Sequence, residues 1–138
     1  MSALATTNAK MLNLTPHPLR VQPVNAAIIL PAPVVPAVLE TEPQRKIGVV
    51  TDGSAVCVDV VTPQRFKGVT GLPADCSAYS VVIVGTFVAQ WLVVRPELLE
   101  RHRIRCLLSP DTGPESALRT NGSVSGVRRL QQHWPVVD

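Results

Sequence analysis

His17, Asp111 and Arg119 are the side chains of this chain best suited to chemistry. His17 closes the run Asn13-Leu14-Thr15-Pro16-His17, and an imidazole that titrates near neutrality suits a general base or a metal ligand. Asn13 and Thr15 would orient a ligand beside it. Asp111 sits in Pro110-Asp111-Thr112-Gly113-Pro114, where a carboxylate could accept a proton. Arg119 would clamp an anionic group. Together, Asn13, Thr15, His17, Asp111, Thr112 and Arg119 would make a small-molecule site, for a nucleotide-like ligand, or a hydrolase centred on His17 and Asp111. That requires the first motif and the 110–114 turn to share one pocket. The plainer reading, and the favoured one, gives the same side chains to turns, where Asn, Asp and Thr satisfy backbone groups.

Other constellations are weaker. Asp111-Thr112-Gly113 is the triplet of aspartic-protease catalytic loops, but that chemistry needs two carboxylates sharing a proton, and the chain holds one such triplet. Cys57, Cys76, His102 and Cys106 have the ligand types for zinc, yet no Cys-x-x-Cys pair exists, so buried thiols are expected and no metal. Arg95, Arg101, His102, Arg103 and Arg105 could meet phosphate, with Arg128 and Arg129 as a second patch. Glu97 and Glu100 interleave with the first set, and no aromatic ladder accompanies either. Nucleic-acid binding is therefore a minor reading. No glycine-rich phosphate loop, dinucleotide fingerprint or nucleophile elbow is present, so no cofactor is expected.

The elements that must position these residues follow from composition. Charged residues are 17% of the 138 and apolar ones 46%, which excludes a charged disordered tail and leaves an apolar outer surface open to protein contact. Residues 1–94 carry six Lys/Arg against five Asp/Glu, and residues 95–138 seven against five, so neither part makes a strong basic field. Three widely spaced cysteines argue against a secreted disulfide scaffold. Met1–Leu14 lacks a basic start followed by an apolar run, so a reduced intracellular compartment is expected. Residues 76–94 carry no charge and approach bilayer length, but Ser77, Ser80, Gly85, Thr86 and Gln90 fit a buried strand followed by a buried helix. No membrane association is expected.

Thirteen prolines spread from Pro16 to Pro135 leave little room for long helices, and abundant valine favours strands. Residues 1–10 read as a flexible N-terminus and 11–138 as a single β-rich domain. Leu12 and Leu14 start a short strand, resumed at Leu19–Gln22. Residues 23–43 read as an extended, proline-punctuated arm that must cover its own core or a partner. Residues 47–62 read as a hairpin about Asp52-Gly53, 63–78 as loop, and Tyr79–Val84 as a buried strand. Thr86–Val94 reads as a helix, followed by a second one begun by Pro96, then by a strand at Ile104–Leu108. A closing hairpin pairs Ala117–Arg119 with Val124–Leu130 about Asn121-Gly122. The expected fold is small α+β, mainly antiparallel, with one or two short helices.

Leu12-Asn-Leu-Thr-Pro-His17, Gly71-Leu-Pro73, Tyr79-Ser80, Pro110-Asp-Thr-Gly-Pro114 and Gly126-Val-Arg-Arg-Leu130, in that order, resemble a group of small uncharacterised phage, prophage and bacterial proteins. The resemblance covers roughly 12–18 and 68–130. It implies a phage-linked origin and a compact β-rich fold, and no reaction. The leading expectation is a non-enzymatic protein-binding module, either a capsid-stabilising virion accessory or an inhibitor of a host factor. Its partner would be a capsid or host protein, and a homo-oligomer is compatible with it.

Overall fold

The computed structural model describes residues 10–23 and 26–137. The expected flexible N-terminus, 1–10, thus lies outside the described residues but for Lys10. The core is a mixed sheet in the order β1 (Met11–Asn13), β8 (Val81–Ile83), β9 (Leu107–Pro110), β12 (Leu130–Trp134). The first three strands run parallel and β12 antiparallel to β9. Between β8 and β9 the chain crosses over through α1 (Thr86–Val93) and α2 (Pro96–Arg101), as parallel neighbours require. A second sheet has the order β10 (Ala117–Thr120), β11 (Ser123–Val127), β2 (Leu19–Val21), β3 (Ile28–Leu30). Two further pairs, β4 (Val38–Thr41) with β7 (Phe66–Thr70) and β5 (Lys46–Val50) with β6 (Val58–Val61), form one long ribbon. Among the described residues five of eight strand pairings are antiparallel, and the fold is a small β-rich α+β domain.

Strand periodicity builds three layers. Successive side chains of a strand point to opposite faces, so Leu12, Leu14, Val82, Val84 and Leu107 meet Val88, Ala89, Leu92 and Leu99 of the helices, with Leu39 and Val69 of the ribbon base. Met11, Val81, Ile83, Cys106 and Leu108 point the other way, onto Leu19, Val21, Leu30 and Val127 of the second sheet. The uncharged run 76–94 is thus a strand buried on both faces followed by a helix. Among the described residues no helix is long and apolar enough to cross a membrane. Leu92 and Leu99 are fully buried, and each contributes about 2–3 kcal/mol by leaving water.

Local rules act where expected. Asn121 and Gly122 both have positive φ, 53° and 82°, as a primed two-residue turn demands. Pro96 is in the first turn of α2. Gly71 has φ 90°, and a Cβ there would collide with the Pro36 carbonyl oxygen.

Elsewhere tertiary pairing moves the boundaries. The strand expected at Ile104–Leu108 lies at Leu107–Pro110, because Leu107 and Leu108 register with Val82 and Ile83. The strand expected over Val124–Leu130 divides, since Leu130 leaves β11 and starts β12 beside Pro110. The loop expected at 63–78 contains β7, which pairs with β4. Residues 23–43 are extended but tied to the body: β3 pairs with β2, β4 pairs with β7, and the Ala37 N–H donates to the Leu14 carbonyl. Val24 and Asn25 of that segment lie outside the described residues.

Candidate functional site

β1, β8 and β9 end side by side at one edge of the core sheet. The Asn13–His17 segment and the 110–114 turn therefore leave the same edge, with β8 between them and strand axes about 10 Å apart. This is the edge at which open α/β sheets commonly hold ligands.

At the first motif the side chains face inward and serve the backbone. Asn13 is buried, and its Nδ2 donates to the carbonyls of His17 (3.0 Å), Pro31 (3.2 Å) and Leu30 (3.4 Å). Its Oδ1 accepts from the Thr15 N–H at 3.0 Å and from the Thr15 hydroxyl. Asn13 thereby pins the proline turn to the far end of β3. His17 enters this network only through its carbonyl, and its side chain is exposed.

Asp111 is similarly committed. Its Oδ1 accepts from the Gly113 N–H at 3.0 Å, closing a turn, and its Oδ2 lies 2.9 Å from an Arg129 nitrogen. The Gly113 N–H, with Arg129 beside it, holds the carboxyl below its ordinary range. A lowered carboxyl is a poor proton donor near neutrality. Thr112 is exposed, and Arg119 donates to the Gly122 carbonyl at 3.2 Å within its own hairpin. The structure brings Asn13, Thr15 and the His17 backbone together, places Asp111 beside Thr112 at the neighbouring turn, and puts Arg119 on β10.

The zinc candidates are dispersed. Cys57 is exposed near the ribbon tip, Cys76 and Cys106 are in different core clusters, and the His102 Nδ1 lies 2.7 Å from the Pro73 carbonyl. Burial pushes the Cys76 and Cys106 thiols up, away from the reactive thiolate form. Among the described residues no three His, Cys, Asp or Glu side chains gather as metal ligands would. Several arginines are also engaged: Arg95 lies over the Trp91 ring, Arg105 donates to the Ser77 carbonyl, Arg103 is 3.9 Å from Asp75, and Arg129 bridges Asp111 and Glu115.

One cluster escaped the sequence reading. Ser109, fully buried on β9, has its hydroxyl 2.7 Å from His133 Nε2 and 3.0 Å from Gln131 Nε2, with the Thr86 hydroxyl at 3.5 Å. Gln131 is the cross-strand partner of Ser109, and His133, two residues on, also reaches it. Burial lowers the His133 pKa and favours the neutral ring. Serine beside histidine is the first half of a nucleophile–base pair. Here the hydroxyl is sealed beneath the start of α1, and the cluster ties β9, β12 and α1 together. The strand Leu130-Gln131-Gln132-His133-Trp134 has no apolar alternation, so the sequence offered no signal for it.

Part of the exposed apolar surface lies on the ribbon, and part at Ile29, Val34, Phe87 and Val94. From Glu42 to Arg65 the chain runs out and back, held by β5–β6 pairing and by Glu42 N–H to Arg65 carbonyl and Thr62 N–H to Arg45 carbonyl bonds. Val49, Val50, Val56, Val58 and Val61 are 44–69% exposed, and Ile47 is as open. Val50, Val56 and Val58 line a shallow hollow at the tip with Thr51, Asp52 and Ser54. Compared with protein families, curated proteins and solved structures, the chain matches none of them.

Proposed function

We propose that this protein is a non-enzymatic protein-binding module of phage type whose contact element is the β5–β6 ribbon. The observation that carries this reading is the ribbon itself, two valine-rich strands standing clear of the core with almost every residue exposed. Exposed apolar strands offer side chains for hydrophobic burial and backbone groups for strand addition, a recurrent binding mode. The chemistry candidates support it by default: Asn13, Thr15 and Asp111 are spent on turns, and Ser109 is sealed. A capsid protein, with this chain as a stabilising accessory, or a host factor that it inhibits, fits such an arm. Both follow the resemblance to phage-linked proteins. The working locations are then the cytoplasm of the host cell and the virion.

Affinity capture with the tagged full chain tests this, with Val50→Lys/Val58→Lys as the comparison. Both positions are exposed but face each other across the ladder, where two lysines repel, so thermal unfolding is measured beside the capture to show that the variant keeps its fold. The reading expects a retained protein, named by mass spectrometry and lost with the double variant. Equal retention by both chains refutes the ribbon as the contact element.

A further inference from the structure

The expected pairing of Glu97 and Glu100 with the arginines around them does not form: among the described residues neither acid bridges a cation. Arg101, Arg103 and Arg105 are instead exposed, and with Lys10 they surround residues 75–80, the segment that leads into β8. The Lys10 carbonyl accepts from the Ser80 and Val81 N–H groups at 2.9 and 3.2 Å. The His102 carbonyl, next to Arg101, accepts from the Cys76 N–H at 2.8 Å. Arg103 lies 3.9 Å from Asp75, and an Arg105 nitrogen donates to the Ser77 carbonyl at 2.6 Å. All four cations stand at the edge where the parallel strands begin, opposite the edge that carries the 13–17 and 110–114 turns. Asp75 and Glu100 are the acids among them, which leaves this edge two charges positive out of the chain's +3.

Arg103 holds a place where a helix end favours glycine. Its φ is 56°. Its N–H donates to the Glu100 carbonyl and the Ile104 N–H to the Leu99 carbonyl, the paired bonds that close a helix through a left-handed residue. Glycine adopts that conformation without the steric cost that an arginine carries. The side chain returns little of that cost to the fold, since its ion pair with Asp75 is long and both groups are more than half exposed. Residues held in disfavoured backbone conformations cluster at functional sites.

We propose that this edge binds the phosphate backbone of duplex nucleic acid through Lys10, Arg101, Arg103 and Arg105, without reading sequence. Charge complementarity selects a polyanion. Lys10 and Arg105 are separated by β8, two strand spacings or about 10 Å, so no single phosphate touches both backbones' side chains at close range. A duplex presents a charge every ~1.7 Å of its axis and can meet all four. Tyr79 is the one aromatic residue of the 75–80 segment, and one ring makes no platform for stacking unpaired bases. None of the exposed large apolar residues lies among the four cations, so nothing there enters a membrane. The four come from separate places in the chain and not from one helix or ribbon able to enter a groove, so contact stops at the backbone. The edge stands apart from the ribbon, and either reading can fail without the other.

Fluorescence anisotropy of a labelled duplex of mixed sequence, titrated with the full chain, tests this. Four phosphate contacts give log Kd against log salt a slope of about 3.6. Kd should be on the order of 100 µM near 150 mM salt and about fiftyfold lower near 50 mM. Arg101→Gln and Arg103→Gly should each reduce that slope by about one. Arg103→Gly should raise Tm at the same time, because glycine relieves the left-handed position, a combination that a purely structural arginine would not show. Arg128→Gln, at the opposite edge, should leave the slope unchanged. No binding near 50 mM salt, or a slope unmoved by Arg101→Gln and Arg103→Gly, overturns the proposal. So does tighter binding of the corresponding single strand, or binding of phosphatidylserine vesicles in place of the duplex.

Discussion

Asn13→Ala separates a turn-building asparagine from a ligand-binding one. The Asn13 side chain donates to three carbonyls and accepts from the Thr15 N–H and hydroxyl, all at a position 5% exposed. Each such bond contributes about 0.5–1.5 kcal/mol net, and an orphaned buried N–H costs about 1–3 kcal/mol. Alanine removes the set, strands the Thr15 N–H and frees the link to Leu30 and Pro31. The expected loss is about 3–4 kcal/mol, or roughly 10–15 °C in Tm for a domain of this size. Asn13→Asp should be no better at neutral pH, because it keeps the acceptor for Thr15 but sets a negative charge against three carbonyls. His17→Ala should stay within about 0.5 kcal/mol, since the network uses only the His17 backbone. Thermal and urea unfolding of the three variants measure this. An Asn13→Ala loss below about 1 kcal/mol, or a His17→Ala loss of equal size, refutes the structural role.

Gly71→Ala should cost more than about 2 kcal/mol or prevent folding, because it combines a positive φ with a Cβ against the Pro36 carbonyl; urea titration reads it. Replacing Asn121-Gly122 by Val-Val should lower Tm by several degrees, because both residues sit at positive φ; an unchanged Tm would remove the primed turn from the closing hairpin. His133 has a pKa lowered by burial, so the unfolded chain takes up a proton before the folded one does. Its contribution to stability is complete above its ordinary value of 6.5 and is lost as pH falls from there toward the lower folded value. His133→Gln should flatten the dependence of Tm on pH between about 7.5 and 5.5. A dependence that survives the substitution assigns it to another group.

Much of the fold was legible locally. The primed turn at Asn121-Gly122, the proline-led α2 and the buried strand at Val81–Ile83 each follow from a few neighbouring residues, because φ preference, ring closure and apolar runs act within one turn or strand. The pairing of β4 with β7 was not legible, since Phe66–Thr70 holds Lys67 and Gly68 and gains strand structure only from a partner far back in the chain. Nor was the migration of Leu130 into the core sheet, which registers with Pro110 rather than with the preceding hairpin.

The same division runs through the candidate site. The residue types at 13–17 and 110–114 specified turns by themselves, because short polar side chains bond their own backbone wherever proline bends it. Whether those turns also made a pocket depended on what their remaining atoms met. The tertiary structure supplied Leu30 and Pro31 for Asn13 and Arg129 for Asp111, and so spent them. Ser109 met His133 only because β12 lies beside β9. A hairpin within 47–62 was legible too, but its loop spans 51–57 and β6 starts at Val58 rather than Val56, and its standing clear of the core was not legible. Exposure is a property of the whole packed chain: the layers closed over Val81–Val84 and left Val49, Val50 and Val58 in water, although both groups are β-branched.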